Sequence, residues 1–186
     1  MKRILCAVLI IFALPACFFS CKGEPGFPET AETLYPIVEG QRIPFKVLFV
    51  SESNLTVDHF VLRNKGEAQA AMNEAFFQQL NSEQSEILLS QNYDVYQVVG
   101  VTTQTNSSNV KYGVTEVREL INDGDFVAVY ATDRPDGNYV ESDDLRNFTT
   151  VMLIKKADYD FSAHDDYLNI PVVKKLCYSL YPDRVL

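Results

Sequence analysis

Six runs of β-branched and aromatic residues, cut by short polar or glycine-containing connectors, constrain this 186-residue chain more than any other feature. They are residues 45–51 (FKVLFVS), 56–64 (TVDHFVLRN), 93–103 (YDVYQVVGVTT), 111–121 (KYGVTEVRELI), 126–132 (FVAVYAT) and 148–155 (FTTVMLIK). Val, Ile, Tyr, Phe and Thr suit a pleated, half-buried surface, so each run is expected to be a strand. The first two, separated by Glu52-Ser53-Asn54-Leu55, read as a hairpin. Asn122-Asp123-Gly124-Asp125 supplies an Asp-Gly pair, which tolerates positive φ in a tight turn. One segment has helical periodicity. In 66–80 (GEAQAAMNEAFFQQL), Ala68, Ala71, Met72, Ala75, Phe76 and Leu80 recur at three- and four-residue steps among good helix formers. Its apolar stripe must lie on something, and the flanking strands provide a surface. The expected fold class is α+β, a mostly antiparallel β-sheet with one packed amphipathic helix. Residues 165–186 stay ambiguous, because Pro171 suits the first turn of a helix whereas Ile170, Val172 and Val173 suit a strand.

Ahead of these runs stands a leader. Lys2 and Arg3 precede an apolar stretch from residue 4 to 14, broken at Pro15 and followed by small residues and cysteines. A basic start, an apolar centre of this length and a small-residue end describe a secretory signal peptide better than a spanning helix, which needs about 20 apolar residues. Residues 1–20 are therefore read as a lipoprotein signal peptide, with Cys21 as the lipidated residue. Cys17 is the alternative: Leu14-Pro15-Ala16 gives it the better small neighbour but an awkward proline. Cleavage at Cys21 leaves a Gly, Pro, Glu and Thr stretch that cannot pack, so residues 21–33 are read as anchor and flexible linker, with a reach of roughly 20 Å. Residues 34–186 then form a single β-rich domain. Several acyl chains, at about 0.8 kcal/mol per buried methylene, hold such a domain on a membrane. The expected location is the bacterial envelope, at the outer membrane or cell surface, with the membrane touched through the anchor only.

Loss of residues 1–20 removes two basic and no acidic side chains, taking the formal charge from −9 to −11. That balance disfavours nucleic acid, whose phosphates need a basic face, and disfavours lying flat on anionic lipid. Of the four cysteines only Cys177 remains after cleavage and lipidation at Cys21, and its apolar setting suits a small core residue.

Few residues of the sequence point to a chemical activity. His59 shares a strand face with Val57 and Val61, which suits a packed or hydrogen-bonded side chain. His164 lies in the acidic run 158–166 (DYDFSAHDD), but the run lacks the Gly and terminal Glu of a calcium loop, and no paired Cys or His spacing points to zinc. The run is read as a solvated charge cluster, and no metal site is assigned. There is no Gly-x-Ser-x-Gly, Ser-x-x-Lys, phosphate-binding glycine loop or dinucleotide fingerprint. No catalytic residue and no cofactor is assigned, and the chain is read as a non-enzyme. Tyrosines crowd the second half, chiefly as packing for the sheet. Residues 134–147 form the longest polar interruption between two strands, and long loops on a rigid scaffold carry contacts. Asp136, Tyr139 and Asp143 in that loop, with Tyr181 near the C-terminus, are the candidate partner-binding residues.

The order of segments FKVLFVSES, FVLRNKGEAQAAM, VKYGVTEVRELINDGDFVAVYATDRP and VMLIKK, spanning residues 45–158, resembles the PrcB-like domain family. Val110-Lys111-Tyr112 stands where that family has a Gly-Gly-Tyr turn. The resemblance implies a β-rich accessory lipoprotein that binds another protein, as in stabilising a protease complex, and it carries over no catalytic residue. The expected function is an envelope-anchored, non-catalytic lipoprotein that docks on or stabilises another envelope protein. A small-ligand or cation-binding lipoprotein is the alternative.

Overall fold

In a computed structural model of the chain, the structure describes residues 34–35, 37–53, 59–105, 115–132, 146–164, 166–168 and 170–179. The elements are β1 (Leu34–Tyr35), β2 (Gln41–Arg42), β3 (Phe45–Ser53), β4 (Phe60–Leu62), α1 (Lys65–Ala71), a 3-10 turn (Phe77–Gln79), α2 (Ser82–Leu89), β5 (Tyr96–Thr105), β6 (Thr115–Asn122), β7 (Phe126–Thr132), β8 (Arg146–Lys155), β9 (Val173–Leu176) and β10 (Tyr178–Ser179). The strands make two four-stranded sheets, β3-β8-β5-β4 and β2-β6-β7-β9, and a short ribbon, β1-β10. Every pairing is antiparallel except β7 with β9. The fold is mostly antiparallel β with two helices, in keeping with an α+β class.

The layers follow from which faces are apolar. Val99 and Val101 of β5, Met152 and Ile154 of β8 and Val61 of β4 meet Val117, Leu120, Phe126 and Ala128 of the second sheet, forming a core between the sheets. The alternate residues of the same strands, Tyr96 and Val98, Val151 and Leu153, Phe60 and Leu62, pack under Ala68, Ala71, Phe76, Phe77 and Leu88 of the helical layer. β5 and β8 are thus covered on both faces, which is why β8 reads as a near-continuous apolar run. The outer face of the second sheet buries Ile121, Val127, Val129 and Ala131 with Val38 and Cys177. Glu119 is buried there too, and Arg42 reaches it with Nε and Nη2 at 3.3 and 3.4 Å.

Both sides of the sandwich are joined by chain that passes from one sheet to the other. β2 pairs with β6, and after Ile43 and Pro44 the same stretch becomes β3 and pairs with β8. On the far side Tyr167 O accepts from Val61 N and Ile170 N donates to His59 O, so this segment runs along β4 before entering the second sheet as β9.

Four sequence expectations need correction. The helix expected over 66–80 ends after Ala71. Phe76 and Phe77 are adjacent and both buried, whereas one continuous helix would turn them about 100° apart. By leaving the helix, the chain brings both rings onto Phe60, at 5.9 and 4.9 Å between centroids. A second helix then starts at Asn81 with a reciprocal capping box to Gln84. The expected hairpin of the first two strands does not form, since β3 and β4 occupy opposite edges of one sheet and their partners are β8 and β5. Among the described residues there are two four-stranded sheets and a two-stranded ribbon rather than one sheet. The loop expected over 134–147 is shorter, because Arg146 and Asn147 already belong to β8, paired with Thr105 and Gln104. The ambiguous tail resolves as strand over Val173–Leu176. The Asp-Gly turn forms as expected, with Gly124 at φ 108° between Asn122 and Phe126.

Candidate functional site

The connections β3–β4, β5–β6 and β7–β8 all attach at one end of the sandwich. In the first sheet Ser53 closes β3, Thr105 closes β5 and Arg146 opens β8, and the register sets Ser53 opposite Asn147 and Thr105 opposite Arg146. In the second sheet Thr115, which opens β6, faces Thr132, which closes β7. These are the same end, because Val117 N donates to Thr150 Oγ1 across the gap between the sheets at 3.0 Å. That bond also satisfies a backbone donor beside the β6 bulge. β9 runs parallel to β7, so Leu176, opposite Tyr130, heads the same way, and Leu34 pairs with Ser179 just beyond. The connections 54–58, 106–114 and 133–145, the tail 180–186 and the chain before Leu34 therefore all attach here, at what we term the loop end. The opposite, hairpin end carries the turn at Gly124.

The strands change chemistry as they approach the loop end. β5 passes from VVGV to TTQT and β8 reads RNFTT before VMLI. Ser53, Thr102, Thr103, Thr115, Asn147, Thr149 and Thr150 are buried polar residues, all near this end. They are bonded to their surroundings, as burial requires: Thr102 and Thr149 share a hydroxyl contact at 3.0 Å, Ser53 Oγ donates to Gln79 Oε1 at 3.2 Å, Thr103 Oγ1 donates to Phe148 O at 3.3 Å, and Gln104 Nε2 donates to Asn147 Oδ1 at 3.1 Å. Arg146 makes a two-pronged ion pair with Glu52, with Nε 2.7 Å from Oε1 and Nη2 on Oε2, and its guanidinium lies 5.3 Å over the Phe148 ring. The bond to Glu52 raises the Arg146 pKa further above its ordinary value. The arrangement is a cross-linked polar floor at the strand ends to which these connections attach.

The proposed contact residues Asp136, Tyr139, Asp143 and Tyr181 lie outside the described residues, as do Cys17 and Cys21. The described residues flanking them, Thr132, Arg146 and Ser179, are at the loop end. His59 is half-buried and its Nδ1 accepts from Thr102 N at 3.2 Å, an ordinary structural role for a strand-edge imidazole. Cys177 is buried in the outer-face core, and burial, then Glu119, pushes its thiol pKa up, with Lys175 acting the other way; this is the opposite of an activated nucleophile.

The run 158–166 is not simply a solvated cluster. Phe161 is fully buried between the sheets, 4.8 Å from the rings of Phe126 and Tyr159. The Arg63 guanidinium grips Glu67 and donates to the carbonyls of Phe161 and His164, fastening the run to β4 and α1. Asp160 folds back on Ser162, whose hydroxyl and N–H hold its carboxyl below the usual carboxylate range. Among the described residues no group of three or more His, Cys, Asp or Glu side chains converges to hold a metal. Nor is any helix among them long and apolar enough to cross a membrane. Comparison of the chain with protein-family models, with curated proteins and with solved structures finds no match.

Proposed function

We propose that the chain is an envelope-anchored, non-catalytic lipoprotein whose loop end docks on or stabilises another envelope protein. The observation that carries the reading is the convergence at the loop end. The two segments holding the candidate contacts, 133–145 and 180–186, start from Thr132 and Ser179 at one end of a rigid two-sheet scaffold. The first sheet, by contrast, is covered by helices on one face and by the second sheet on the other. Loops on a rigid sandwich are a common way to build a contact surface without a cleft. The PrcB-like resemblance is in keeping with this reading and suggests a protease complex as the partner.

The test is affinity capture from native envelopes with residues 134–145 replaced by a short Gly/Ser connector, keeping Arg146 and Asn147 for β8. Thermal stability is expected to stay nearly unchanged, because the core of both sheets is kept, while partner capture is lost. Full capture by a stably folded variant would overturn the assignment of this surface.

A further inference from the structure

We infer that the segment from Ile170 to Ser179 is a strap that opens as a unit while both sheets stay folded. This segment supplies β9, which ends the second sheet at one edge, and β10. It is held chiefly by its buried residues Ile170 and Cys177. Between them Pro171, Val173, Lys174, Lys175 and Leu176 are exposed and Val172 is half-buried. The attachments are correspondingly few. Among the described residues β9 pairs with β7 alone, over four residues and in parallel. Lys174 Nζ donates to Thr102 O at 3.2 Å, Cys177 N donates to Tyr130 O at 2.9 Å, and the bond from Ile170 N to His59 O is long at 3.4 Å. Beyond Cys177, β10 pairs with the two-residue β1.

β8 shows the contrast. Each of its residues from Asn147 to Ile154 is buried, and ladders to β3 and β5 run along both of its edges. Local opening is resisted by buried apolar contact and by ladder bonds, so a strand with one parallel ladder and four exposed side chains opens well before β8 does. Opening withdraws Ile170 and the half-buried Val172 from the core between the sheets and Cys177 from the outer-face core. The pairings of β5 with β8 and of β6 with β7 are left intact. Release begins after Tyr167, whose carbonyl is held by Val61 N of β4 at 2.8 Å, and Pro171 has no N–H with which to add a bond. The closed strap therefore covers the β7 edge and the Cys177 side chain, and the open strap presents both.

Hydrogen exchange and thiol labelling of the full chain under native conditions, both read by mass spectrometry on peptides, test the strap. Peptides covering 170–179 are expected to be protected at least about tenfold less than peptides from β5 and β8. Cys177, buried in the closed strap, should label at a rate that hardly changes with urea below the unfolding transition, because a local opening exposes little surface. Equal protection of β9 and β8, or labelling that climbs with urea as steeply as global unfolding, overturns the local opening. Ile170→Ala then asks whether the strap moves as one piece. Truncating a buried Ile shifts an opening equilibrium by about tenfold or more, so Cys177, seven residues further along the strap, should label faster by that factor. Unchanged labelling in this variant would mean fraying at Cys177 alone and would overturn the unit. The wild-type readings stand whether or not the variant folds.

Discussion

Gly100→Ala should destabilise the domain through a single ring. Gly100 of β5 faces Phe60 of β4 in register, and a Cβ at Gly100 would lie 2.1 Å from Phe60 Cε1, 2.3 Å from Cζ and 2.6 Å from Cδ1. Carbon atoms pack at about 3.5–4.0 Å, so the ring would have to move by more than an ångström. It has nowhere to go, being fully buried and wedged against Phe76 and Phe77. Overpacking of a well-filled core costs about 1–3 kcal/mol, and a locked ring argues for the upper half of that range. At roughly 2–4 °C per kcal/mol for a domain of this size, Tm should fall by about 4–12 °C. Phe60→Ala alone should cost about 3–5 kcal/mol. In the Phe60→Ala background the added methyl has room and fills part of the cavity, so Gly100→Ala should become nearly neutral. The assay is urea unfolding followed by circular dichroism on the mature chain carrying Cys21→Ser, for the wild type, both single variants and the double variant. If the two costs add to within about 0.5 kcal/mol, the ring does not lie over Gly100 and the packing argument fails.

Phe161→Ala should lose about 3–5 kcal/mol in the same assay, because the ring is core despite its acidic neighbours; a loss below about 1 kcal/mol would return the run to the solvent. Burial, with Glu67 nearby, raises the pKa of Tyr93, whose hydroxyl donates to Leu88 O at 2.8 Å, and burial raises those of Tyr130 and Tyr159. A raised folded value means that this stability is present in full below about pH 10 and is lost as pH climbs through the folded pKa values. Spectrophotometric titration should therefore show phenols ionising late, one fewer in Tyr93→Phe, and ionisation of all of them at the free-tyrosine value would contradict the burial. Cys21→Ser should shift the mature chain from the membrane to the soluble fraction; release by Cys17→Ser alone would move the anchor to that residue.

The local strand signals in this sequence held in part, the local helix signal failed beyond Ala71, and the long-range pairing was out of reach. β7 runs over the expected 126–132, and β5, β6 and β8 deviate from expectation by a few residues at their ends, because alternating β-branched and aromatic residues specify extended backbone without tertiary help. Which strand pairs with which is decided by packing far along the chain. β3 finds β8 some hundred residues later, and nothing in FKVLFVS encodes that. The apolar continuity of VMLI did carry the mark of a strand covered on both faces, and hence of a second sheet. The break after Ala71 was hidden because Ala and Gln favour helix anywhere, while the adjacent pair Phe76-Phe77 and the cap Asn81-x-x-Gln84 were the available clues. Phe161 was masked by Asp158 and Asp160, whose charge describes the surface of a turn and says little about the ring between them. The loop end itself could not be read from sequence, since it exists only once strand directions are fixed.

In native envelopes, a photo-crosslinking side chain at Gln104 tests the central claim most directly, with the same probe at Asp123 and at Glu86 on α2 as comparisons. All three positions are exposed. Docking through the loop end predicts one discrete adduct from position 104, weak or absent at 123 and 86, and abolished when residues 134–145 are replaced by Gly/Ser. A discrete adduct from the hairpin end or the helical face, with none at 104, would contradict it.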